Sequence, residues 1–122
     1  MFPDFTLETP IISKGPLRVR HGGCGPPVLL LHGHPRTHVT WWQVAERLAA
    51  SFRLVCPDLP GFGQSYIPAD TPDHSGSSKR AKANALVEMM TRLGHQRFAV
   101  VGHDRGSYVA FRMAMDLSLI HI

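Results

Sequence analysis

The run Val28-Leu29-Leu30-Leu31 is apolar at every position, and that continuity limits the fold more than any other stretch of the chain. A strand with one wet face alternates apolar and polar residues, whereas a strand apolar on both faces must be covered on both. The run is bounded by Gly22-Gly23-Cys24-Gly25-Pro26-Pro27 on one side and His32-Gly33 on the other, and is too short for a helix. Two similar runs follow, Phe52–Cys56 and Phe98–Val101, separated by helical patterns. Short buried strands alternating with helices predict an α/β fold: a mostly parallel sheet flanked by crossover helices.

The spacing places the remaining elements. Residues 5–21 read as two short strands around the turn Ser13-Lys14-Gly15-Pro16, giving five strands in all. A helix is expected from about Trp41 to Ala50. Thr40 and Gln43 have capping-box spacing there, and Trp41, Val44, Ala45 and Leu48 follow i, i+3, i+4, i+7. A second helix, about Ser78 to Leu93, carries Leu86, Met89, Met90 and Leu93 on one stripe and stops at Gly94. A third covers Arg105–Met115. Residues 57–76 are a Pro, Gly, Asp and Ser-rich loop, and loops of that length are usually functional.

Composition removes several classes of function. A chain of 122 residues, 43% apolar and 18% charged, has room for one ordered domain. No apolar run approaches the ~20 residues of a membrane-spanning helix. The first ten residues contain Asp4 and Glu8 and lack the basic and apolar regions of a signal peptide. Cys24 and Cys56 have no framework spacing and read as free thiols of a reducing compartment, which points to the cytoplasm. The net charge of +4 comes from 13 Lys/Arg and 9 Asp/Glu. Its tightest basic group, Lys79, Arg80 and Lys82, has no interleaved aromatics and reads as a solvated helix face. Neither a nucleic-acid nor a membrane partner is expected.

The chemistry centres on Gly102-His103-Asp104-Arg105-Gly106, which follows an apolar strand and opens a helix. This is the context of a nucleophile elbow, where small flanking residues let the chain turn sharply. Asp104 then sits at a helix N-terminus, whose dipole favours an ionised side chain. Serine, the usual occupant, needs a base; a carboxylate is already ionised at neutral pH and can displace a leaving group from saturated carbon. The product is an ester of Asp104, which water must hydrolyse. The plainer alternative is that Asp104 is only a helix N-cap.

His32-Gly33-His34-Pro35 ends the first buried strand. In a strand–elbow–helix architecture the oxyanion hole takes one backbone N–H from that loop and one from the residue after the nucleophile, here His34 and Arg105. The two histidines at i, i+2 could instead bind a metal, but no third ligand has recognisable spacing, so no metal and no cofactor is expected. Asp58-Leu59-Pro60-Gly61-Phe62-Gly63-Gln64-Ser65 lacks the third glycine and the helix of a dinucleotide fingerprint, Tyr66 standing in that place. No P-loop is present.

Together, HGHP, the helix at Trp42, DLPGFGQS and GHDRG resemble the α/β-hydrolase superfamily over about residues 5–116. The aspartate elbow resembles haloalkane dehalogenases, epoxide hydrolases and haloacetate dehalogenases. Arg105, with SSKRAKANALVEMMTRLGHQRFAVVGHDRG as a whole, is most similar to the haloacetate branch. The resemblance implies a small-molecule substrate, a carboxylate if Arg105 pairs with it across the attacking anion; otherwise Arg105 is a surface ion pair. That branch has a second arginine four residues after the nucleophile, where this chain has Tyr108. At i+4 Tyr108 shares the helix face of Asp104 and offers one hydroxyl in place of a cationic fork, so a bulkier halide, an epoxide or an ester is also compatible.

The resemblance further implies a cis His34–Pro35 bond, a water-activating histidine, its orienting acid and a helical cap, the last three lying beyond the nucleophile helix. His21, His38, His74, His95 and His121 have no motif that makes them that base. Residues 117–122, Leu-Ser-Leu-Ile-His-Ile, do not resemble the family's continuation and read as a foreign or read-through tail on a truncated chain. Two further readings stay open: a non-catalytic hydrolase-like binding module, and a carboxylesterase on the same fold, which the lack of an elbow Ser or Cys disfavours.

Overall fold

In the computed structural model, which describes residues 5–13, 15–33, 37–60, 63, 65–66 and 79–116, the Val28–Leu31 run forms the interior strand on which the fold is built. Strand β5 (Pro27–Leu31) lies between β6 (Arg53–Pro57) and β7 (Ala99–Gly102), parallel to both. On the far side of β6 are β4 (Val19–Gly23) and β1 (Thr6–Glu8), each antiparallel to its neighbour, giving the order β1-β4-β6-β5-β7. The N-terminal segment therefore holds four strands where two are expected. Its turn residues belong to a separate small hairpin, β2 (Ile11–Ile12) with β3 (Gly15–Pro16), and β4 runs on through Gly22 and Gly23 to pair with Leu54 and Arg53. Two-residue ladders leave no periodicity to read.

The chain leaves β5 towards β6, then returns past β5 to reach β7. Its crossovers lie on opposite faces of the sheet, as right-handed connections require when the direction reverses. Alternation along β5 shows both faces covered. Val28 and Leu30 pack with Trp41, Ala45, Leu54 and Cys56 under the first helix. Leu29 and Leu31 pack with Leu86, Met89, Met90, Val109 and Met113 under the other two.

The first helix is shorter than its pattern suggests. A 3-10 turn (His38–Trp41) leads into α1 (Trp42–Leu48). Thr40 lies inside that turn rather than capping a helix. Thr37 is the residue whose side chain accepts a backbone N–H, from Val39, so the capping box does not form. Val44 and Leu48 are exposed, leaving Trp41 and Ala45 as the buried stripe.

Helix α2 (Lys79–Arg92) follows its pattern closely. Leu86, Met89 and Met90 are fully buried. Gly94, at φ +91°, ends it with His95 N–H donating to Met90 O and Gly94 N–H to Thr91 O, a Schellman motif. Helix α3 (Arg105–Asp116) follows β7 directly. Strand β7 is a sheet edge, with Ala99 and Val101 exposed on the α1 side. No described helix is long and apolar enough to cross a membrane. His34, Pro35 and residues 117–122 lie outside the described residues.

Candidate active site

In a sheet of this kind ligands bind beyond the carboxyl ends of the strands where the order reverses, here between β5 and β7. His32 and Gly33 leave β5 at that point, and Asp104 leaves β7. Asp104 has φ +55° and is the only non-glycine among the described residues with a positive φ. A left-handed residue with a side chain costs about 1 kcal/mol, and such strain persists where the surroundings dictate it.

Those surroundings are backbone packed against backbone. A Cβ on Gly102 would lie 2.5 Å from Gly106 O, and one on Gly106 would lie 2.3 Å from Leu31 O and 2.6 Å from His32 O. The elbow therefore sits directly on the end of β5. It is closed by Gly106 N–H to His103 O at 2.9 Å and Ser107 N–H to Asp104 O at 3.0 Å, while His103 N–H donates to Leu31 O at 3.0 Å. A Cβ on Gly33 would come within 2.6 Å of Asp104 Cβ, so the loop after β5 touches the residue at the apex. Asp104 itself is exposed, at the N-terminus of the twelve-residue α3. Tyr108, one turn along, is 62% exposed. Arg105 is the first residue of α3.

Behind the elbow lies a polar network of His32 and Asp58, which the motifs contain but do not interpret, with His38 and Arg20, which lie outside them. His32 is fully buried. Its Nε2 accepts the Leu59 N–H at 2.9 Å, so the proton is on Nδ1, which donates to Gly33 O at 2.9 Å. Burial pushes its imidazole below the usual histidine range, opposed by the Gly33 hydrogen bond and the nearby Asp58 charge. His38 is engaged on both ring nitrogens as well. Arg20 Nε–H donates to its Nε2 at 3.0 Å, and its Nδ1–H and backbone N–H both donate to Asp58 Oδ1, at 2.7 and 2.8 Å. The signal in the sequence was an aspartate ending a buried strand, since a buried charge needs partners.

At the opposite end of the sheet, a cavity of about 510 Å³ is lined by Phe5, Thr6, His21, Cys24, Glu46 and Arg53, among others, and by none of the elbow residues. His21 is held there between Arg53 and Glu8. No group of three metal-ligating side chains occurs among the described residues.

Residues 26–118 match the pattern of the alpha/beta hydrolase fold. The chain belongs to the α/β-hydrolase fold family. It is 48% identical over 116 residues to a fluoroacetate dehalogenase from Burkholderia sp, covering 95% of this chain and 38% of that protein. To a soluble epoxide hydrolase from Corynebacterium sp. (strain C12) it is 39% identical, covering 95% and 39%. Its structure is similar to that of an epoxide hydrolase from an endophytic Streptomyces, with TM-score 0.87 and 29% identity over 96% of this chain and 35% of that one. The α/β-hydrolase chain thus spans about two fifths of the length of the curated relatives it matches.

Proposed function

We propose that this chain is the N-terminal part of a cytoplasmic hydrolase that works through an ester of Asp104, cleaving a carbon–halogen or epoxide carbon–oxygen bond. The observation that carries the reading is Asp104 at φ +55° on a turn packed against the end of β5. An N-cap has no need of that geometry, because cap residues adopt extended φ/ψ. A nucleophile does, because the turn lifts its side chain clear of strand and helix.

In the first step an Asp104 carboxylate oxygen forms a bond to carbon as the carbon–halogen bond breaks, and halide leaves with the bonding pair. With an epoxide, the ring oxygen leaves as an alkoxide that takes up a proton. In the second step a water, deprotonated by a base, attacks the ester carbonyl carbon. The backbone N–H groups of His34 and Arg105 stabilise the resulting oxyanion, which collapses to release an alcohol and regenerate the carboxylate. His32 and His38 are unsuited to be the base, since both ring nitrogens of each already hold protein partners. We therefore assign the base to the part of the relatives' length that this chain does not span. The Arg105 guanidinium would pair with a substrate carboxylate and the Tyr108 hydroxyl would bond a polar substituent.

Peptide mass mapping of the full-length protein, acid-quenched during turnover of a haloacetate or a terminal epoxide, tests the reading. An alkyl adduct on the peptide containing Asp104, absent in Asp104→Asn, is expected. Turnover without any adduct on that peptide, even when the base is disabled, would overturn it.

A further inference from the structure

We propose that Asp58-Leu59 is a two-point clamp on the loop between β5 and the 3-10 turn, with His32 and His38 as positioning residues for the reaction at Asp104. The inference rests on the hydrolytic reading above and assigns these groups no contact with substrate. At the entrance to the loop, the Leu59 N–H is held by His32 Nε2, and His32 Nδ1–H holds the Gly33 carbonyl, each at 2.9 Å. At the exit, the Asp58 carboxylate takes two hydrogen bonds from His38, whose remaining ring nitrogen is fixed by Arg20. Both ends of the loop are thus tied to one dipeptide just past β6. That dipeptide is itself anchored by Asp58 N–H to Arg18 O at 2.8 Å and by the Ser65 hydroxyl donating to Asp58 O.

The purpose follows from peptide geometry. A planar peptide couples each carbonyl to the N–H that follows it, so holding the Gly33 carbonyl restrains the peptide plane that leaves Gly33. This happens where a Cβ on Gly33 would lie only 2.6 Å from Asp104 Cβ, the place where an oxyanion donor must be closely aimed. The entrance anchor requires a neutral ring. With a second proton, Nε2 would face the Leu59 N–H donor to donor. Among the described residues, Asp58 and His38 are charged or titratable groups that act on His32, with Arg20 bonded to His38. Acid therefore releases the loop from its entrance side.

The test uses the full-length protein with His32→Phe, which keeps a ring and removes both hydrogen bonds, and His32→Gln, whose amide reaches the Nε2 position. With a haloacetate and a terminal epoxide as probes, His32→Phe should lower kcat about 10- to 100-fold with KM nearly unchanged. The Leu59 amide should lose hydrogen-exchange protection while the α2 amides keep theirs. His32→Gln should recover most of the rate and shed the acid limb of the pH profile. Wild-type kcat and Leu59 protection in His32→Phe would overturn the clamp, as would a loss of protection spread evenly over the domain. If the wild-type protein turns over neither probe, the hydrolytic reading fails, and the exchange data still decide whether the anchor exists.

Discussion

Substituting Gly33 by alanine adds one methyl group at the tightest point between the β5 loop and Asp104. The new Cβ would lie 2.6 Å from Asp104 Cβ and 3.1 Å from both His103 Nδ1 and His103 O. Carbon atoms come to rest at about 3.5–4.0 Å, so loop and elbow must separate by roughly 1 Å. Overpacking of this kind costs about 1–3 kcal/mol. In an active site a misplacement near 1 Å costs about 10²-fold in rate. Gly94→Ala is the control, because nothing lies within 4 Å of its Cβ while its φ is +91°. It should lose about 1–2 kcal/mol through backbone strain alone, with no effect on chemistry. The assay is a urea melt of each variant beside single-turnover formation of the Asp104 adduct. Both variants should be less stable, but only Gly33→Ala should slow adduct formation by tens of fold or more. A Gly33→Ala protein with wild-type rate and stability would refute the packing argument, and equal slowing in both variants would show that the rate merely follows stability.

Three further outcomes follow from burial and charge. Cys24 is exposed, whereas burial pushes the Cys56 thiol up to about 12; mass mapping should show Cys24 alkylated by iodoacetamide within minutes under native conditions and Cys56 only on unfolding, and rapid native labelling of Cys56 would contradict its place under α1. Burial holds both His32 and His95 below the usual histidine value of 6.5; the unfolded chain therefore binds more protons just below that value, so stability should fall as pH drops from about 6.5 through the lowered folded values, and His95→Gln should flatten part of the slope. The 122-residue chain expressed alone exposes Val101 at the β7 edge, with Phe111 and Tyr108 on α3 at 65% and 62% exposure; it should sediment as oligomers or aggregate, and Val101→Lys should shift it towards monomer, whereas a monodisperse wild-type monomer would speak against an adhesive edge.

Much of this fold is legible because long apolar patterns specify their own surroundings. Val28–Leu31 requires two covered faces and receives them, and Leu86, Met89 and Met90 with Gly94 define α2 and its end. Legibility fails where structure depends on partners distant in sequence. Gly15-Pro16 looks like a turn and is a strand because Ile11-Ile12 pairs with it. Thr40 has the right spacing for a capping box, yet it lies inside a 3-10 turn that starts at His38, whose backbone N–H is held by Asp58, twenty residues further along the chain. The elbow is legible for the opposite reason, since Gly102 and Gly106 record a close approach that any side chain would block. The roles of His32 and Asp58 are not, because a histidine at a strand end is equally compatible with ligation, catalysis or anchoring until its ring nitrogens have named partners.

The central claim, that Asp104 attacks carbon, is tested most directly by one turnover of the full-length protein in heavy-oxygen water, with enzyme in excess over substrate. If the ester forms, water attacks the carbonyl carbon of Asp104, so the label should appear in the Asp104 side chain and the first alcohol released should carry unlabelled oxygen. If Asp104 only activates water for direct attack on the substrate, the first product will carry the label and Asp104 will carry none, and the nucleophile assignment will be wrong.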